Sequence, residues 1–476
     1  MFEDKEFIIF GYHATCHDWI GRAGERIALD KSLATVEQVR QYKAAGFNVM
    51  FLTYAFDFNG LKTDFATSKI KEVMDIAYEE GMKCFLAEEN MRLLTSKNHS
   101  LIDPEKADGV EYFASEEELE AHIRRCLKGA IDHPAFMGVS TRDEPFYPMF
   151  EAYGQVYKLL KKIKPDMFIM ANLLPYSEGL VTREHRGFYA PNEEEIGPWK
   201  GYLSYIEKFY QESNPDFIQY DDYPIHENDA GEKYLIDGHL QNARLISAYC
   251  RERNIAFSKV FQTCAFCTTG KLCRKPDEDD MYWQMNIGMA MGVRIYSYWS
   301  YFPVINQPAR ERYDETACFV DTQGNPNPIY YSMQKIHGEM QKAAKVLLDF
   351  EFDGCKVFTT KEIPGDSNFI QEYFKSIALG DLPEDTLERV NAVELEKDGA
   401  VLITQMKDAN GRFGYYIVNI TDPSLKLGQS VSVQFKASNR LEVYDRGEYA
   451  ETCLQNGIAA FELACGRGVF VIPIQK

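Results

Sequence analysis

No stretch of the 476-residue sequence approaches the roughly 18 consecutive apolar residues that a bilayer-crossing helix needs. A membrane partner is therefore not expected. The start, Met1-Phe-Glu-Asp, lacks the basic segment and apolar core of a secretory signal. Basic residues are in deficit, 52 Lys and Arg against 72 Asp and Glu, for a formal net charge of −20. No basic run exceeds two or three residues, so a phosphate backbone meets a repelling field and nucleic acid is disfavoured as a partner. Glycine-rich phosphate loops are missing too: the first strand leads into Gly11-Tyr-His-Ala-Thr, which is not a dinucleotide-binding turn. Low-complexity segments are absent. The eleven cysteines are an odd number that fits a reducing compartment, and a cytoplasmic location is expected.

What is present is apolar material for a large core: 45% hydrophobic residues, with 29 Tyr and 31 Phe. Up to about residue 345, short apolar runs alternate with longer segments of helical period. Strands are expected at Phe7–Tyr12, Asn48–Tyr54, Lys83–Glu88, Met137–Thr141, Phe168–Leu173, Phe217–Tyr220, Ala256–Gln262 and Arg294–Trp299. Helices fall between them and after the last. Gly46, Gly81 and Gly292 each stand between a helix and a strand, where a left-handed cap is wanted. Eight such units in a row predict an α/β fold, a (β/α)₈ TIM barrel over residues 1–348. Beyond it, short alternating runs such as Val401–Met406 and Gly414–Asn419 predict a small all-β sandwich within 349–476, joined by an acidic connecting arm at Gly365–Asn391.

Barrel enzymes work at the C-terminal ends of their strands. Those ends carry Tyr12 and His13; Glu88 and Glu89; Asp143, Glu144 and Pro145; Asn172; Tyr220, Asp221, Asp222 and Tyr223; Gln262; Tyr298 and Trp299. Carboxylates, amides and aromatics converge there, which suits a polyhydroxylated ligand. Cleaving a glycosidic bond needs one acid to protonate the leaving oxygen and a second group to meet the charge at the anomeric carbon. Glu144 beside Asp143 fits the acid, since a neighbouring carboxylate raises a carboxyl pKa. The structural alternative is that this pair caps the next helix. Strand alternation allows only one of Asp221 and Asp222 to face the centre. Tyr12, His13, Asn172, Tyr220, Tyr223, Gln262, Tyr298 and Trp299 are candidates for binding sugar, as is Glu88.

Asp143-Glu144-Pro145, Tyr220-Asp-Asp-Tyr-Pro224 and Gly292-Val-Arg-Ile-Tyr-Ser-Tyr-Trp299 resemble motifs of (β/α)₈ glycoside hydrolases, especially the clan that includes β-galactosidases. The resemblance implies hydrolysis of O-glycosidic bonds, a carbohydrate substrate, no cofactor, and Glu144 as acid/base. Two positions depart from that pattern. Asp143 stands where the clan has Asn, and Gln262 stands where it has the nucleophilic Glu. Three completions remain open: Asp221 or Asp222 as nucleophile or base; Asp143 orienting a substrate acetamido group, as in N-acetylhexosaminidases; or Glu88 or Glu89 facing the site. A carbohydrate-binding barrel without catalysis is the rival of another class. Metal is not expected, although His13, His17 and Asp18, and Cys264, Cys267 and Cys273, are clusters of ligating residue types; structural zinc wants four ligands and no second CxxC pair exists. A homo-oligomer is allowed for.

Overall fold

The computed structural model describes residues 5–17, 19–20, 27–29, 31–52, 62–94, 113–176, 189, 198–268, 271–303, 318–365 and 368–475. Eight parallel strands build a barrel: β1 (Ile8–Gly11), β2 (Val49–Leu52), β3 (Lys83–Leu86), β4 (Phe136–Asp143), β5 (Phe168–Leu173), β6 (Phe217–Asp221), β7 (Ala256–Gln262) and β8 (Val293–Trp299). Neighbours in space are neighbours in sequence all the way round, and β1 pairs with β8. Among the described residues only the β1–β2 seam lacks a ladder. There, single bonds from Asn48 N–H to Ile9 O and from Ala14 N–H to Phe51 O, both 3.1 Å, leave the barrel nearly closed.

Among the described residues eight helices of nine or more residues alternate with the strands, α1 (Val36–Ala44), α2 (Lys69–Glu79), α3 (Glu116–Cys126), α4 (Phe150–Ile163), α5 (Pro198–Ser213), α6 (His239–Arg253), α7 (Glu278–Ala290) and α8 (Pro328–Leu347), with a further short helix, Glu89–Leu94, after β3. Thr35 caps α1 by accepting from Gln38 N–H, and Ser115 caps α3 by accepting from Glu118 N–H, the sites expected from sequence. Gly46 adopts φ +92°, and a Cβ there would sit 2.5 Å from the His337 Cβ, so no other residue fits.

Period-two alternation sorts the strand residues onto two faces. Ile8, Phe10, Phe51, Phe85, Met170 and Val260 fill the barrel interior. Ile9, Ile218, Phe261, Tyr296 and Tyr298 face the helices. Loops after β6 and β7 contribute an extra antiparallel sheet, in the order Lys233–Leu235, Ile225–Glu227, Lys271–Cys273, Phe266–Thr268.

Two antiparallel sheets follow the barrel. Strands β9 (Phe350–Thr359), β10 (Val390–Leu395), β11 (Ala400–Asp408), β12 (Phe413–Asn419), β13 (Gln429–Phe435), β14 (Ser438–Asp445), β15 (Glu448–Cys453), β16 (Ile458–Leu463) and β17 (Gly468–Gln475) sort into sheets ordered β9-β11-β12-β17-β14-β15 and β10-β13-β16. They share a core that includes Val401, Ile417, Val433 and Phe435. The segment expected to be a connecting arm holds a helix instead, α9 (Asn368–Ala378), with Phe369, Ile370 and Tyr373 buried. Arg244 of α6 reaches Asp385, the Tyr373 hydroxyl and the carbonyls of Pro383 and Glu384, which explains why an acidic segment lies down on the barrel. No helix among the described residues is long and apolar enough to cross a membrane.

Candidate active site

The end of β4 is shaped by an irregularity between Ser140 and Arg142, after which Asp143 lies opposite Asn172 of β5. The Asn172 side-chain amide donates to the Asp143 carboxylate at 3.2 Å. Glu144 then turns out of the strand with φ +46°, its N–H held by the Asn172 carbonyl at 2.7 Å. His13, just past β1, also has positive φ, +56°. Left-handed backbone is costly for residues with a Cβ and gathers at functional sites. Neither Asp143 nor Glu144 caps a helix; α4 starts later, and both side chains are exposed at the barrel mouth.

Asp221 ends β6 on the inward face. Burial pushes its carboxyl up to about 7, the nearby Asp143 charge adds to the rise, and Tyr223 and Asn172 pull the other way. Tyr12 is raised by burial first and then by Asp143, Asp221 and Glu144; Tyr223 is raised by burial and by the same three carboxylates. That mutual influence places Tyr12, Asp143, Glu144, Asp221 and Tyr223 close to one another at the barrel mouth. Beneath them Gln219 donates to the Tyr12 hydroxyl at 3.0 Å and accepts from Ser258 at 2.8 Å. The sequence reading missed Gln219, although it stands two residues before Asp221 on the same strand face.

Trp299 stands beside this group, its ring 5.7 Å from Tyr12 and 5.6 Å from His13. Cys264, Phe266, Cys273 and Cys318 form an apolar cluster packed against Tyr223 and Trp299. Tyr223 meets Phe266 edge-on at 4.8 Å.

Five expected site residues are spent elsewhere. Asp222 points to the outer layer: His239 at the start of α6 bonds its carboxylate at 2.7 Å, and Lys259 of β7 stands 3.6 Å away. Burial alone would raise Asp222, but Lys259 and His239 outweigh it and hold it at about 2. Tyr220 shares that outer face, stacked on Phe257 with the Lys259 ammonium 4.6 Å from its ring. Tyr298 is outward as well, bonded to His337 at 2.9 Å among core aromatics. The Gln262 side chain accepts from Ile225 N–H and donates to the carbonyls of Ile225 and Arg274, pinning the extra sheet to β7. Glu88 is fully buried and caps the short helix Glu89–Leu94, taking the Met91 N–H at 2.8 Å and the Asn90 amide at 2.7 Å.

For the metal alternatives, His17 bonds Ser32 at 2.8 Å, and Asp18 and the Cys267 side chain lie outside the described residues. Among the described residues no three His, Cys, Asp or Glu side chains form a group that could hold a metal ion.

No protein-family model and no curated protein matches the chain. Solved structures do. A GH42 β-galactosidase from G. stearothermophilus is similar with a TM-score of 0.54 at 8% identity, covering 92% of this chain and 95% of that one. A glycoside hydrolase family 5 protein from Bacteroides vulgatus gives 0.51 at 10% identity, covering 99% and 89%. An α-amylase from Geobacillus thermoleovorans, complexed with acarbose, gives 0.50 at 12% identity, covering 99% of both chains. At such identities the likeness establishes the fold, a (β/α)₈ barrel followed by antiparallel sheets, and leaves chemistry to the residues at the mouth.

Proposed function

We propose that the chain is a glycoside hydrolase acting on a short oligosaccharide or glycoside, with residues 1–348 as the catalytic barrel and 349–476 as a β-sandwich appendage. A cytoplasmic setting belongs to the same reading and rests on the cysteine count. One observation carries it: Asp143, Glu144 and Asp221 converge beside Tyr12, Tyr223 and Trp299 at the end of the barrel where barrel enzymes work. The folds that this chain resembles include glycoside hydrolases of several families.

In this reading Glu144, exposed at the rim, protonates the leaving oxygen. Asp221 is the companion, since Gln262 cannot act as nucleophile or base and is committed to backbone groups. With its pKa near 7, Asp221 ionises as pH rises through neutrality and then meets the anomeric centre or activates water. Asp143, fixed by Asn172, orients the substrate. Trp299 offers a flat face to the sugar ring.

The test is hydrolysis of a panel of aryl glycosides, with and without an N-acetyl group, by wild type, Glu144→Gln and Asp221→Asn. Both variants are expected to lose activity on good substrates by about 100-fold or more, and the acid limb of the wild-type kcat/KM profile is expected near pH 7. Full activity in Glu144→Gln would remove it from the mechanism. No cleavage of any glycoside by folded protein would instead favour a carbohydrate-binding barrel.

A further inference from the structure

The mouth contains two buried oxygen atoms that its own chain does not satisfy. The Asp221 carboxyl, 7% exposed, has Tyr223 and Asn172 as hydrogen-bonding neighbours, yet its Oδ1 has no hydrogen-bond partner among the described residues, and Asn172, 4% exposed, has an orphan Oδ1. Buried polar atoms are nearly always bonded, so each orphan needs an account. Amide orientation is ambiguous in many structures. Here it is fixed, because Asn172 must aim its NH₂ at the Asp143 carboxylate, which can only accept. The free Asn172 atom is therefore an acceptor. Asp143, Asn172 and Asp221 stand on three consecutive strands, β4, β5 and β6, and together they ask for hydrogens and supply negative charge. The lysine at this level does not answer. Lys259 is turned to the outer face and bonded to Asp222, through its carbonyl at 3.1 Å and its carboxylate at 3.6 Å.

We infer that the substrate sugar carries a free, protonated amine, seated with its ammonium group among Asp221, Asn172 and Asp143. A sugar hydroxyl brings one hydrogen to such a place. An ammonium brings three, pointed in different directions, and a positive charge that compensates buried carboxylate. The same argument disfavours uronic and sulfated sugars, whose anions would meet the carboxylates. An N-acetyl group keeps one N–H and loses the charge. This inference rests on the glycosidase reading for its assignment of a sugar, but its central contact concerns binding and is measurable without turnover.

Calorimetric titration of the wild-type protein with glucosamine and galactosamine, set against glucose, galactose and N-acetylglucosamine, tests it. The amino sugars are expected to bind roughly 10- to 100-fold more tightly than their neutral counterparts, the worth of one or two charge-assisted bonds. The preference is expected to weaken with added salt. Binding at pH 7 is expected to release protons, since an ammonium beside Asp221 favours the ionised carboxyl. Asp221→Asn is expected to bring the two classes within about twofold, and Asn172→Leu, which deletes an acceptor and leaves the charge on Asp221, to lower the preference partway. Equal or tighter binding of glucose, galactose or N-acetylglucosamine overturns the inference, as does no binding of the amines. The aryl glycoside panel separates the two claims. Cleavage of neutral glycosides with no preference for amino glycosides keeps the hydrolase and discards the amine. Selective binding of glucosamine with no cleavage of any glycoside keeps the amine site and discards the hydrolase.

Discussion

Replacing Lys259 by Met keeps the apolar stem and removes only the charge. The Lys259 and Asp222 side chains are each 2% exposed. Asp222 is held at about 2 against the upward push of burial, below its ordinary 3.8. That difference favours the ionised carboxylate in the folded state by a few kcal/mol, on the order of 1.4 kcal/mol per pKa unit. Because the fold lowers this pKa, the contribution is present above about pH 4 and lost as pH falls toward 2. Lys259→Met leaves a buried anion with His239 as its remaining partner, and breaking a buried pair from one side costs about 3–5 kcal/mol. A loss of about 3 kcal/mol in the first unfolding transition is expected, read by urea titration at pH 7 with fluorescence and circular dichroism. The double variant Lys259→Met with Asp222→Asn is expected to recover to within about 1 kcal/mol of wild type, since the neutral amide still bonds His239. A single variant as stable as wild type, or a double variant worse than the single, would refute the account of these two residues as a compensated pair.

Asp221 has the opposite sign. The fold raises its pKa to about 7, so its contribution is complete below about pH 4 and is lost as pH rises through 7. Asp221→Asn is therefore expected to be more stable than wild type at pH 8, by a few kcal/mol at most, with the gap closing toward pH 4; a gap independent of pH would contradict the raised pKa. Gln262→Ala frees the Ile225 N–H and the Arg274 carbonyl, the Ile225 carbonyl keeping its bond from the Arg274 N–H, and is expected to cost about 2–4 kcal/mol, with faster proteolysis between residues 225 and 274 as the local readout. Glu88→Ala removes the cap of Glu89–Leu94 and is expected to cost about 1 kcal/mol in thermal or urea unfolding; a several-fold larger loss of glycosidase activity without that instability would return Glu88 to the substrate.

Barrel strands were legible because each is a short apolar run closed by polar residues. Phe168–Leu173 and Ala256–Gln262 match residue for residue. Which strand ends meet was legible from topology, and alternation separated Asp221 from Asp222. Aromatic and amide residues at those ends were less legible. Tyr220 and Tyr298 pack under helices as readily as they would under sugar, and only the partner across the layer decides. Gln262 was misread because its function is to hold an extra sheet whose strands have three residues each, too short for periodicity to register. Glu88 was misread for a similar reason, since the helix it caps spans six residues. In the C-terminal part, α9 was hidden by the acidic composition of its surroundings, and β15 by exposure of every residue along it.

Trp283 of α7 donates its indole N–H to the Ile420 carbonyl at 3.2 Å, and its ring stacks on His239 at 5.2 Å. His239 in turn grips Asp222, the residue after Asp221. The loop after β12 therefore buttresses, through two side chains, the peptide from which Asp221 projects. Surgery on this protein has a corresponding limit. A chain cut after α8 would keep every barrel strand yet uncover Trp283, strip Arg244 of its carbonyl and carboxylate partners, and leave the floor of the mouth without its outer wall. Swapping the C-terminal sheets for those of another barrel protein would need a replacement acceptor at the Ile420 position and an acid at the Asp385 position before any change at the mouth could be interpreted.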